Sequence, residues 1–146
     1  MTATKMDAVN ALKELRDFIG NSQLRAIADA MRSEEKQFFF DKAVELAGIV
    51  SAMPKTYEQD GKGDQAMVYL HYFAGGSANW WITERDVETA DEPGQHQAFG
   101  LANIFGGPND QDAELGYISI VELLEVGAEL DFYFEPRTLA QLKEVA

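Results

Sequence analysis

The sequence predicts an α+β fold: N-terminal helices packed with an antiparallel β-sheet, followed by a short C-terminal helix. Three observations predict it. Val9, Leu12, Leu15 and Ile19 are spaced three, three and four apart, which is helical periodicity. Beyond Pro54 the apolar runs become short, β-branched and aromatic, and glycine-containing turns separate them. Short loops between consecutive strands favour antiparallel pairing. The charge also changes near this point. Residues 1–53 hold seven Lys/Arg and eight Asp/Glu, whereas residues 54–146 hold five and seventeen. Two regions follow: a helical N-terminal region, 1–53, and an acidic antiparallel-sheet region, 54–146.

Each element has a local reason. Gly20-Asn21 is expected to end the first helix, because both residues tolerate the positive φ of a C-cap. Leu24, Ile27 and Met31 make a second, shorter stripe. Ser33 is expected to cap a third helix, with Glu34 and Glu35 favourably placed near its N-terminal dipole. Phe39, Ala43, Leu46, Val50 and Met53 form its buried seam, and Pro54 stops it. Gly48, mid-helix, implies a close packing contact. Met67–Phe73 and Asn79–Thr83 read as a hairpin closed by Ala74-Gly75-Gly76-Ser77-Ala78. Residues 97–105 form a third strand, and Gly106-Gly107-Pro108-Asn109 a turn. Leu115–Ile118 is a short strand. Ser119 and Glu122 form a capping box for a helical turn, and Leu130–Phe134 is the last strand. Thr138 and Gln141 cap a C-terminal helix whose Leu139 and Leu142 face inward.

Length and composition limit the classes. A chain of 146 residues, 46% hydrophobic and 11% aromatic, is long and apolar enough for a real core. Cysteine is absent, which excludes disulfides and thiolate chemistry and fits a reducing compartment. No apolar run approaches a membrane span, and MTATKMDAVN lacks the apolar segment of a signal peptide. A cytoplasmic protein is expected. The net charge of −13 opposes nucleic-acid and membrane binding and attracts basic protein patches.

Candidate chemical motifs are weak. Asp110, Asp112 and Glu114 begin like a calcium loop, but Leu115 and Val121 stand where that loop needs Gly and Glu. A solvated acidic loop is the preferred reading. His71 and His96, with Glu84 or Asp86, have the residue types of a two-histidine, one-carboxylate metal site. A strand histidine flanked by Tyr69 and Phe73 is more often simply packed and hydrogen-bonded. Glu84 with Asp86, and Glu114 with Glu122, are carboxylate pairs of the kind used in acid/base work, but adjacency is common in so acidic a region. No serine sits in a nucleophile elbow. Gly61-Lys62-Gly63 lacks the spacing of a phosphate loop and is flanked by acids. Trp80 and Trp81 point to opposite faces of one strand, one into the core and the other nearer the surface or an adjoining helix.

Gly63-Asp64, Phe73, Trp81-Ile82-Thr83-Glu84-Arg85-Asp86 and Phe99-Gly100-Leu101 belong to one further pattern. It continues in Glu114-Leu115-Gly116-Tyr117-Ile118-Ser119, Glu122-Leu123 and Asp131-Phe132-Tyr133-Phe134. Together these resemble an uncharacterised family, domain of unknown function 2958, over about residues 54–140. The segment around Gly116-Tyr117 is the most specific part. The resemblance implies a small protein of plasmids, integrative elements or phages, often near antirestriction functions, with no established activity. It also implies that a shared site would use Asp64, Glu84, Asp86, Glu114, Tyr117, Glu122 and Asp131.

The functional expectation is a non-enzymatic acidic binding protein of a phage or plasmid. Its carboxylates would imitate phosphates and occupy a basic nucleic-acid-binding surface of a host defence nuclease complex, anti-CRISPR or antirestriction in type. The expected contact residues are Glu84, Asp86, Glu88, Asp91, Glu92, Asp110, Asp112 and Glu114, with Trp80 as an aromatic anchor. The expected partner is a basic protein or nucleoprotein complex, with no cofactor, no direct nucleic acid and no membrane. The alternative is a small metal-dependent hydrolase or ligand-binding enzyme using Glu84, Asp86, Glu114 and His71 or His96. A third reading assigns the acidity to solubility alone.

Overall fold

The structure, a computed structural model, describes residues 2–144. Helix α1 (Lys5–Glu14) starts at a reciprocal cap. Thr4 Oγ1 accepts the Asp7 amide at 3.1 Å, and Asp7 Oδ2 accepts the Thr4 amide at 2.9 Å. These bonds hold the Asp7 carboxyl below its ordinary pKa. The buried face of α1 is Ala8 and Ala11, continued by Leu15, Phe18 and Ile19. Val9, expected in the buried stripe, lies at the surface. Small residues let α1 approach its neighbour closely, so Ala8 and Ala11, not Val9, take the buried positions within the helix.

The expected left-handed cap at Gly20-Asn21 does not occur. Gly20 has φ −68° and is the N-cap of α2 (Asn21–Ala30). The chain leaves α1 earlier, through a turn in which the Phe18 and Ile19 amides donate to the Leu15 carbonyl. Helix α3 (Lys36–Ala52) starts later than its Ser33 suggested. Ser33 Oγ accepts the Glu35 amide at 3.2 Å, inside the turn that precedes the helix. Phe40, Ala43, Leu46, Ala47 and Val50 form the buried seam of α3, with Met53 just beyond it. Gly48 faces solvent with open space around it, so the close contact expected there is absent.

Five strands form one antiparallel sheet in the order β5-β4-β3-β2-β6. They are β2 (Leu70–Ala74), β3 (Ala78–Glu84), β4 (Ala98–Asn103), β5 (Glu114–Ile118) and β6 (Glu129–Leu130). A two-stranded antiparallel ribbon pairs β1 (Met67–Val68) with β7 (Arg137–Thr138). The last sheet strand is shorter than its aromatic run predicts. Asp131 Oδ1 accepts the Tyr133 amide at 3.0 Å, an Asx turn that ends the strand after Leu130.

One face of the sheet presents Leu70, Tyr72, Ile82, Ala98, Ile118 and Leu130 to the helices, and all share one core with α1, α2 and α3. The Tyr72 hydroxyl donates to the Phe18 carbonyl at 2.5 Å, and burial pushes this phenol's pKa strongly up. Gln23 of α2 ties the helices to the sheet edge. Its side chain donates to the Leu130 carbonyl at 2.8 Å and accepts the Leu130 amide at 2.9 Å. The opposite face carries Trp81 and Leu101 in a second core with Val68, Leu139 and Leu142. Leu139 and Leu142 come from α5 (Leu139–Glu144), the predicted C-terminal helix. Trp80 and Trp81 therefore take opposite faces, and each packs against a core. Helix α4 (Ile120–Glu125) begins where Ser119 accepts the Glu122 amide at 3.2 Å. Among the described residues, no helix is long and apolar enough to cross a membrane.

Candidate functional site

The pairing of β3 with β4 slips near its end. Ile82 opposes Gly100, but Glu84, not Thr83, opposes Phe99. This is a β-bulge, which re-aims the side chains that follow it. Regular alternation would send Glu84 to the helix-facing side with Ile82. The bulge sends it to the other face, beside Phe99. There it is 4% exposed. Glu84 Oε1 accepts the Tyr57 and Gln59 amides at 3.1 and 3.4 Å, and Oε2 accepts the Thr83 hydroxyl at 2.5 Å. A buried carboxylate of this kind is held by dipoles. Among the described residues, no Lys, Arg or His forms an ion pair with it.

Glu84 lies on the wall of a cavity of about 470 Å³. The segment 57–66, β3, β4, β5 and α5 enclose it. Tyr57, Phe99, Leu115 and Leu139 supply an apolar lining, and Asp60 adds a second carboxylate. Tyr57 sits at φ +79°, an uncommon conformation for a non-glycine residue. Its backbone N–H donates a hydrogen bond to Glu84 Oε1, and its hydroxyl contacts that of Tyr117. That contact raises the Tyr117 pKa. The rings of Tyr57 and Phe99 each meet Tyr117 edge to face, at 6.2 and 5.8 Å between centroids. Gln59, a buried residue of the cavity lining, donates to the carbonyls of Met67 and Thr83 at 2.9 and 2.8 Å.

The other expected contact residues separate into three kinds. Asp86 and Glu88 organise their own loop. Asp86 Oδ2 accepts the His96 and Gln97 amides at 3.2 and 3.1 Å. Glu88 accepts the Gly94 amide at 2.8 Å and the Gln95 side chain at 2.5 Å, and lies 3.5 Å from Arg85. Asp110 caps the turn at Gly107, whose amide it accepts at 2.9 Å. Asp91, Glu92, Asp112 and Glu114 are exposed. These last four do not form one patch. Asp91 and Glu92 precede the Ala98 end of β4, whereas Asp112 and Glu114 lie at the Asn103 end. At about 3.4 Å per residue the two ends are ~17 Å apart. Trp80, expected as an anchor, is half-buried against the helix-side core. Among the described residues, the exposed aromatic side chains are Phe38, Tyr57, Phe73, Phe105, Tyr117 and Tyr133.

The histidines have separate structural partners. His71 stacks on Trp81 at 5.4 Å and 11°. Its Nδ1 lies 3.1 Å from Asp131 Oδ2 and its Nε2 2.8 Å from Asn79 Oδ1. His96 Nε2 is 3.0 Å from the Pro93 carbonyl. Among the described residues, no group of three or more His, Asp and Glu is placed to hold a metal ion. Glu84, Asp86, Glu114 and the histidines are thus not grouped as a shared metal site would need.

Tyr57, Gln59 and Asp60 lay outside the expected site. Among these, Tyr57 stood out in the sequence only as one of several tyrosines in or near strands, and the cavity forms where the segment 57–66 folds back over the bulge. No family model, curated protein or solved structure matches the chain.

Proposed function

We propose that this chain is a non-enzymatic acidic binding protein that docks on a basic, nucleic-acid-binding surface of a partner. One observation carries the reading: the surface of residues 54–146 is acidic and almost unneutralised. Among the described residues, Asp64 is the one exposed acid of this region in an ion pair, 2.9 Å from Lys143. Asp91, Glu92, Asp112 and Glu114 have none. Such a field speeds association with a cationic surface and repels nucleic acid. The exposed rings of Tyr57, Tyr117 and Phe105 supply the apolar area that charge alone lacks. The mobile-element setting implied by the sequence resemblance makes a host nuclease complex, of restriction or CRISPR type, the partner class.

The test is calorimetric titration with an arginine-rich peptide at low and high salt. Affinity should fall steeply with salt, and fall again when Asp91, Glu92, Asp112 and Glu114 are changed to Asn or Gln. Affinity that is flat with salt, or indifferent to those changes, sinks the reading.

A further inference from the structure

We propose that the cavity beside Glu84 is a recognition pocket for an arginine side chain of the basic partner; this rests on the binding function proposed above. The lining is amphipathic in the manner such a group needs. Leu115 and Leu139 offer apolar walls to a methylene stem, and the aromatic side chains of Tyr57 and Phe99 line the same space. Glu84 and Asp60 place two carboxylates on the same lining, and no cationic side chain lines it among the described residues.

The hydrogen bonding at Glu84 points the same way. A buried carboxylate without a cation is costly, and a well-placed cation offsets part of that cost. Glu84 has three donors for its roughly four lone-pair sites, so it can accept one more hydrogen bond. The guanidinium is weakly hydrated and enters such a site more readily than an ammonium. The cavity volume of about 470 Å³ lies within the range of small-ligand sites.

Glu84→Gln is a clean probe because the amide can inherit the hydrogen bonds. Thr83 Oγ1 lies 2.5 Å from Glu84 Oε2 and 3.1 Å from the Phe99 carbonyl, and has one hydrogen to give. In the variant the amide donates to Thr83, and the Thr83 hydroxyl turns to Phe99. The fold is kept and the charge is lost.

The experiment titrates N-acetyl-arginine amide, and its neutral citrulline analogue, into the full-length protein and follows backbone amide shifts. Saturable shifts at Tyr57, Gln59, Phe99 and Leu115 are expected for the arginine probe. Binding should be at least ~10-fold weaker for the citrulline probe and for Glu84→Gln. Equal binding of the two probes, an unaffected Glu84→Gln, or no saturable shift overturns the pocket. The two proposals fail separately. Salt-sensitive binding of the basic peptide without any response to the arginine probe removes the pocket and keeps the surface. The reverse pattern keeps the pocket and removes the surface.

Discussion

Gly100 sits where a Cβ would lie 2.0 Å from the Trp81 carbonyl oxygen. Backbone cannot yield as a flexible side chain does, so Gly100→Ala must push β4 away from β3. The expected loss is at the top of the ~1–3 kcal/mol range of overpacking, read by urea unfolding. An unchanged midpoint would mean that the strands part freely there. The Asp17 and Glu88 carboxyl groups lie close enough to shift each other's protonation. Burial, and then the charge of Glu88, raise Asp17 above its ordinary 3.8. Burial also pushes Glu88 upward, but the Gly94 amide, Gln95, Asp17 and Arg85 outweigh it and lower Glu88 below 4.5. The signs differ accordingly. The Asp17 contribution is full below pH 3.8 and is lost as pH rises through its raised pKa. The Glu88 contribution is present above pH 4.5 and is lost as pH falls through its lowered value. Asp17→Asn keeps a donor toward Glu88 without the charge. It should raise the melting temperature at pH 7 and leave it nearly unchanged at pH 3. A shift of equal size at both pH values contradicts the pairing.

At the scale of elements, two short segments depend on single polar side chains. Helix α5 is six residues long and cannot stand alone. Its start is held by a reciprocal box, in which Thr138 Oγ1 accepts the Gln141 amide at 3.1 Å and Gln141 accepts the Thr138 amide at 3.0 Å. Thr138→Ala should cost ~1 kcal/mol, measured by thermal unfolding, with Leu139 and Leu142 loosened from the second core. The loop 86–97 is pinned by Gln95, which is fully buried. Gln95 Oε1 accepts the Asp86 amide at 2.7 Å, and its carbonyl accepts the Ile120 amide at 2.9 Å. Gln95→Leu leaves the Asp86 amide without its acceptor, a loss of about 1–3 kcal/mol. Hydrogen exchange should then quicken through residues 86–97 while β2 and β3 stay protected. Uniform protection would show that the loop is held by something else. Capping at Thr138 was readable from sequence, since the spacing of Thr and Gln is local. Gln95 gave no such signal, because its partners become neighbours only after the loop folds against α4.

At the scale of the whole molecule, the helices of 1–53 and the sheet of 54–146 bury one another. Arg85 makes the joint polar as well as apolar. It donates to the Val50 carbonyl at 2.9 Å and lies over the Phe18 ring at 5.1 Å. Residues 54–146 expressed alone should therefore expose Leu70, Tyr72, Ile82 and Leu130 to water. No cooperative unfolding transition is expected for that fragment by circular dichroism. A cooperative transition like that of the full chain would mean that the sheet folds independently of its helices. What the sequence determined by itself was whatever depends on neighbours in the chain: three N-terminal helices, the hairpin at Gly75-Gly76, the caps at Ser119 and Thr138, and the excess of acid beyond Pro54. Tertiary structure alone decided which side of each element is buried, and with it the site. Alanines displaced Val9 from a helix seam because close packing favours small side chains there. One extra residue in β3 moved Glu84 from the helix-facing side of the sheet to the cavity on the other face. A bulge is a relation between two strands distant in sequence, and no periodicity within either strand encodes it.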